Sequence, residues 1–341
     1  SFERPQRNSW DSLRWFGGVC FVMRQSFSTQ PALFAPQELF DHPALCALDE
    51  VEVLIDWDRI AALLPAGEEK VQTGRPGYPA LTLFRALLLG LWYDLSDVKL
   101  SAQLARDLLF RKFCRLELDA GVPEASTLGR FRARLGDRLD GILAELVAML
   151  EEARVILAEG RVAIVDATVV EAARSRLSTQ DPEAGSAVKV TVKGRRQAVW
   201  GWQAFVNADE DGFVRRVTVS PGNRAEVDSL CDLMVGDETA LYADSAYIGP
   251  RTRALLAHHG MCDRVQKHGV RRRKLTPQER ARNVEIGVTR GRVEAIFGHW
   301  KRHWGLRRTR FLGGAKMQAL TRLAAIGWNL WKGAGFKARY G

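Results

Sequence analysis

Three carboxylates stand where carboxylates are costly or crowded. Asp166 interrupts the β-branched run Val162–Val170 (VAIVDATVV). A buried acid in such a run needs a partner, a metal or a proton. Asp244 closes a second short apolar run, Thr239–Ala243 (TALYA), and strand ends are where α/β sheets meet their ligands. Glu294 lies among Arg290, Arg292, Lys301, Arg302, Arg307, Arg308 and Arg310. Taken singly, each acid reads more simply as a cap, a turn residue or half of an ion pair. Taken together they form an all-oxygen donor set, which suits a hard divalent cation such as Mg²⁺ with Mn²⁺ as a substitute. Two such ions about 3.5–4 Å apart activate one oxygen and stabilise another in phosphodiester displacement.

The elements that would position these acids change character along the chain. Gly74–Pro79 (GRPGYP) predicts a rigid turn, and Ala80–Tyr93 a helix apolar nearly all round and therefore buried. Further helices are expected after Asp97, after Ser126 as an N-cap, and over Leu139–Ala158 up to Gly160. The helix after Ser126 carries Arg130, Arg132 and Arg134. It reads as a bundle member or as a DNA-reading helix. From Arg161 the period becomes strand-like. Residues 171–198 are polar and read as a loop or surface insertion. Trp200–Ala208 and Phe213–Ser220 read as a hairpin around Asp209–Gly212, followed by a helix over Glu226–Met234 and strands at Thr239–Ala243 and Met261–Gln266. A basic linker, Arg271–Lys274, leads into the Glu294 helix, and Lys316–Trp331 predicts a last amphipathic helix. On the Glu294 helix, Val293, Ile296, Phe297, Trp300 and Trp304 form an apolar stripe. Trp300 and Trp304 read as core, with base stacking the alternative.

Composition narrows the class. The 341 residues are 46% hydrophobic and 26% charged, which is the range of globular proteins and not of disordered chains. From Arg264 to the end there are 20 Lys and Arg against three acids, whereas residues 1–263 hold 30 against 37. All the net positive charge therefore lies in the last quarter, and a polyanion, most simply nucleic acid, is the partner it suits. Five scattered cysteines without a C-x-x-C pair argue against a disulfide framework or zinc ribbon. His299 and His303 stand four apart but lack the H-E-x-x-H pattern. No G-x-G-x-x-G, P-loop or G-x-S-x-G pattern occurs, and no apolar run is long enough to span a bilayer. Residues 1–22 show no period and precede the first methionine, Met23. They read as a translated leader, followed by a helical region over 23–160 and a sheet-containing region over 161–335.

Several stretches, in order, resemble a known family. These are GRPGYPALTLFRALLLGLWYDLSD, VDATVVEA, WGWQAFVNADEDGFV, VSPGNRAEVD, LYADSAYIG and RGRVEAIFGHWKRHWGLRRTRFLG. They are similar to the DDE transposases of the bacterial insertion sequence five family. The resemblance implies an α/β fold, with an N-terminal helical domain followed by a ribonuclease-H-like mixed β-sheet flanked by helices. It places the catalytic, metal-binding acids on Asp166, Asp244 and Glu294. The family signature Tyr-x2-Arg-x3-Glu-x6-Lys falls with its Arg on Arg290 and its Lys on Lys301, while Gly287 stands at the Tyr position. Arg290, Lys301, Arg302, Arg307, Arg308 and Arg310 are the expected DNA contacts. The implied activity is Mg²⁺-dependent cleavage and strand transfer at terminal inverted repeats. The implied partners are double-stranded terminal-repeat and target DNA and further copies of the chain, in a dimer or larger synaptic complex. No membrane is involved, and the implied location is the bacterial cytoplasm at the nucleoid. A ribonuclease-H-like nuclease without transfer activity and a non-catalytic DNA-binding derivative are the alternatives.

Overall fold

The computed structural model describes residues 42–65, 77–156, 161–173, 180–190, 194–269 and 273–340. The expectations for residues 1–22, most of the turn before Tyr78 and part of the Arg271–Lys274 linker lie outside the described residues. Pro43–Gly341 forms one compact unit.

Helices come first. They are α1 (Asp49–Glu52), α2 (Trp57–Leu63), α3 (Ala80–Trp92), α4 (Asp97–Arg106), α5 (Leu108–Cys114), α6 (Ala125–Leu135) and α7 (Arg138–Glu152). α3 is the hub: Thr82 through Leu89 are all buried, as its all-round apolar sequence requires. Its one charge, Arg85, is 1% exposed; it pairs with Glu52 at 2.7 Å and lies over the Trp57 ring. α5 was not foreseen, because seven residues are too few to show a period. Asp107 serves as C-cap to α4 and N-cap to α5, accepting from the Phe110 N–H at 3.3 Å. Ser126 is not the cap of α6. The backbone at Glu124 is already extended after Pro123, so the helix starts at Ala125. α7 ends at Glu152, short of Ala158. Arg154 adopts a left-handed backbone, and the N–H groups of Val155 and Ile156 both donate to the Leu150 carbonyl, folding those two side chains into the core.

The sheet follows, with β1 (Val162–Glu171), β2 (Gly185–Val190), β3 (Arg196–Ala208), β4 (Val214–Pro221), β5 (Ala240–Ala243) and β6 (Cys262–Val265). β1 runs antiparallel to β3 and parallel to β5; β3 pairs with β4, and β5 runs parallel to β6. This order, β4-β3-β1-β5-β6, is the ribonuclease-H-like arrangement implied by the family resemblance, with β2 added on β3. β2 lies within the stretch expected to be a loop. Val188 and Val190 alternate with polar residues there, a strand signal set within a stretch otherwise polar; Val188 is exposed, and the approach to β3 is made at the buried Gly185 and Ala187. Small residues are required there: a Cβ on Gly222 would stand 2.6 Å from the Ala187 Cβ and 2.8 Å from the Gly185 carbonyl oxygen. Glu226–Met234 is not one helix but a 3₁₀ turn (Glu226–Ser229) running into the short α8 (Leu230–Leu233).

Two cores flank the sheet. On one face Ala163, Val165, Phe205, Leu241 and Ala243 pack with α8 and α9 (Pro250–His259). On the other, Ile164, Val206 and Val217 join the N-terminal helices and two long C-terminal ones, α10 (Pro277–His303) and α11 (Gly314–Tyr340). α11 is clamped to β4: Asn329 accepts from the Val214 N–H and donates to the Val214 carbonyl, both at 2.8 Å. No helix among the described residues is long and apolar enough to cross a membrane.

The close strand approach makes a stability prediction. Gly222→Ala should cost about 1–3 kcal/mol, because the obstructing atoms include backbone oxygens that cannot yield. Gly291→Ala, on α10 with nothing within 4 Å of its Cβ position, should gain about 0.5–1 kcal/mol. Urea denaturation of the two variants checks the pair; equal stabilities would refute the packing argument.

Candidate active site

The register of the parallel strands positions the two aspartates. Ile164 on β1 lies opposite Tyr242 on β5. Two residues further along each strand, Asp166 and Asp244 are level and, by the two-residue period, on the same face. Ala243 lies opposite Val265 on β6, so Gln266 is the third residue in that row. Parallel neighbours are spaced about 4.8 Å apart, which sets the scale of the row.

α10 crosses this row. Its N-terminus is fixed by a capping box between Thr276 and Glu279. Val293, Ile296, Phe297 and Trp300 are buried and seat it on the sheet. Trp300 and Trp304 are 1% and 5% exposed, so both belong to the core and neither is presented to a base. From the seated helix, Arg290 spans the row. Its guanidinium donates to Gln266 Oε1 at 3.0 Å and to Asp166 Oδ2 at 2.9 Å. Both partners in the Asp166 pair are largely buried. The second Asp166 oxygen accepts from the Ala167 N–H at 2.9 Å, and Asp244 accepts from the Ala246 N–H at 2.6 Å. Burial pushes the Asp166 carboxyl above its ordinary range, and the Asp244 charge adds to the rise; Arg290 and the Ala167 N–H oppose it.

Glu294 is exposed and makes no hydrogen bond or ion pair among the described residues. At 100° per residue it projects about 40° round from Arg290 and about 20° from Lys301. Both of those residues act on the Asp166 charge. Glu294 therefore shares the helix sector of Arg290 and Lys301, with its own side chain exposed. Lys301 is partly buried. Its pKa is lowered by burial and by Lys189 and Arg307, with Asp166 and Glu171 opposing. Glu171 is held below the usual carboxylate range by hydrogen bonds from Lys189, at 2.5 Å, and from Arg308. Arg302, Arg307 and Arg310 are exposed on the same C-terminal stretch, and Arg310 donates to the Asp94 carbonyl at 3.0 Å.

Asp166 and Asp244 are hard oxygen donors side by side in a buried row, and that set fits a divalent cation. No three His, Cys, Asp or Glu side chains among the described residues are grouped to hold one in this arrangement. His299 packs against the rings of His303, Trp304 and Trp331. Three nearby residues escaped sequence reasoning. Gln266 follows β6 and is found only through the register. Lys189 sits on the unforeseen β2. Glu226 opens the 3₁₀ turn after β4, where burial, together with the Asp244 and Asp166 charges, pushes its carboxyl up to about 7.

Comparison with known families is consistent along the chain. Residues 157–330, more than half of the 341, match the family model described as "Transposase DDE domain". Residues 37–134 match the one described as "Transposase domain (DUF772)". No solved structure matches the chain.

The charges around Asp166 make a signed prediction. In metal-free buffer, Arg290→Met should raise the Asp166 titration midpoint, because the cation favouring the carboxylate is gone. Asp244→Asn should lower it by removing a like charge. Carboxyl ¹³C NMR of Asp-labelled protein reads both shifts, and a midpoint unmoved by either change would contradict the arrangement.

Proposed function

Because the chain belongs to the DDE transposase family, we propose that Asp166, Asp244 and Glu294 are the metal-binding acids of its active site. The chain is a transposase, a metal-dependent enzyme that acts on DNA. The observation that carries the residue assignment is the level placement of Asp166 and Asp244, with Arg290 laid across from the helix that bears Glu294. The ion is Mg²⁺, replaceable by Mn²⁺, since every proposed ligand is a carboxylate oxygen. When bound, it lowers the pKa of an attacking oxygen and neutralises charge on the leaving one.

The chain's own residues supply the rest. α10 brings Glu294 to the aspartates and keeps it there through its apolar stripe. Arg290 orients Asp166 through its two-point hold on Asp166 and Gln266. Lys301, Arg302, Arg307, Arg308 and Arg310 contact the phosphate backbone of double-stranded DNA, at terminal inverted repeats and at the target. Water, then the freed 3′-hydroxyl, attacks a phosphodiester in turn. The helical region adds a second contact surface through exposed Arg130 and Arg134. Two or more copies hold the two ends, at the nucleoid of a bacterial cell, and the subfamily is that of insertion sequence five.

Asp166→Asn should abolish cleavage and strand transfer with Mg²⁺ while DNA affinity stays within about threefold. Lys301→Ala should flatten the slope of log affinity against log salt by about one unit. Strand transfer by the Asp166 variant would sink the assignment. An unchanged salt slope would remove Lys301 from the phosphate contacts.

A further inference from the structure

The row of acids has a neighbour that the family signature does not include. Glu226 begins the 3₁₀ turn Glu226–Ser229, and this turn packs on the turn Ser245–Tyr247 that follows Asp244. Glu226 is half-buried, yet it makes no hydrogen bond or ion pair among the described residues. Asp244 and Asp166 both act on its charge, and the cation that acts on it, Arg290, is already engaged by Asp166. A carboxylate with a structural task would have donors. This one has repulsive neighbours instead, and its charged form is unfavourable there unless a cation joins it or a proton neutralises it.

A second observation points the same way. Tyr247 is fully buried and its hydroxyl has no hydrogen-bond partner. Glu226, Asp166 and Asp244 all act electrostatically on that phenol. A buried hydroxyl without a partner is costly. Here the charges that act on it are those of three acids, and a hydrated cation among them would give it a partner.

We propose that Glu226 is a fourth acidic ligand of the divalent-cation site, joining Asp166 and Asp244 from the side opposite α10. The proposal rests on the assignment of Asp166 and Asp244 as metal ligands. It divides the site in two. Asp166, Asp244 and Glu226 belong to the sheet edge and its turns; without a cation they are not drawn into one group, and with it they become the inner set. Glu294 is carried by α10 and approaches from solvent. Two divalent ions carry four positive charges, and the four carboxylates match them.

The test is Mn²⁺ binding to the full chain without DNA, by titration calorimetry at fixed pH, with thermal melting in chelator and in Mn²⁺. Glu226→Gln keeps the shape and removes the charge. It should weaken Mn²⁺ binding about tenfold or more. Its melting temperature in chelator should equal or exceed that of the unaltered chain, since a repelled carboxylate is gone, and its stabilisation by Mn²⁺ should shrink. Glu226→Asp, which keeps the charge at shorter reach, should bind with intermediate affinity and serves if the Gln variant does not fold. A folded Glu226→Gln, or failing that a folded Glu226→Asp, with Mn²⁺ affinity within twofold of the unaltered chain overturns the proposal. Asp166→Asn separates the two failures. If it too binds Mn²⁺ normally, the assignment of the aspartates falls as well; if it loses binding while the Glu226 variants keep it, only Glu226 is excluded.

Discussion

The Asp166–Arg290 pair is the constraint from which most of the architecture follows. The partners are 124 residues apart and largely withdrawn from water. A buried carboxylate without its cation is a fault worth several kcal/mol, so the fold must deliver Arg290 to the sheet edge. Delivery needs a long helix crossing the strands at a fixed height. The capping box fixes where α10 begins, and the buried stripe from Val293 to Trp300 fixes its rotation. Rotation is the sensitive quantity. Turning the helix by one residue would swing Arg290 away by about 100° and expose the stripe.

The sheet supplies the complementary precision. In parallel strands a one-residue slip of β5 against β1 would turn Asp244 to the opposite face, toward α8 and α9. The apolar alternation prevents this, because Ile164 and Ala163 belong to different cores and cannot exchange. The row Asp166, Asp244, Gln266 is therefore held by hydrophobic burial on both faces. Its own polar contacts orient the side chains within it. α11 then covers the β4 end of the same face that α10 packs on, through Asn329 and Trp328, whose indole N–H donates to the Gly212 carbonyl.

Sequence reasoning reached the acids because a charge in an apolar run is conspicuous. Asp166 and Asp244 were visible for that reason, and the α10 stripe because it repeats over several turns. What stayed hidden depended on small residues or on register. β2 carries only a short signal, Val188 and Val190 alternating with polar residues, because Gly185, Ala187 and Gly222 must be small where the chain approaches itself. α5 is shorter than two helical periods. Gln266 and Glu226 lie on segments without a pattern, and their importance comes only from what the fold brings beside them. α7 ends earlier than its pattern predicts because Arg154 takes the left-handed conformation.

Charge shows the limit of counting most plainly. The last quarter of the sequence is strongly basic, but much of that charge is met inside the fold by acids from the first part. Arg308 meets Glu171, Arg310 meets Asp94, and Arg322 meets Asp137 and Asp140. The Arg310–Asp94 pair is substantially exposed, and in the Arg308–Glu171 pair the arginine is exposed while the more buried Glu171 keeps Lys189 as a second partner; exposed pairs are worth about 0–1 kcal/mol each. A phosphate presented in the same place offers a comparable partner and releases condensed counterions besides. Arg308 and Arg310 can therefore change partners at little cost. Arg290 cannot, since leaving Asp166 would strand a buried acid unless another cation replaces it. The two kinds of basic residue are thus separated by burial, not by sequence. On the proposed reading, the exposed arginines turn to DNA, while Arg290 stays to hold Asp166 in place for the metal.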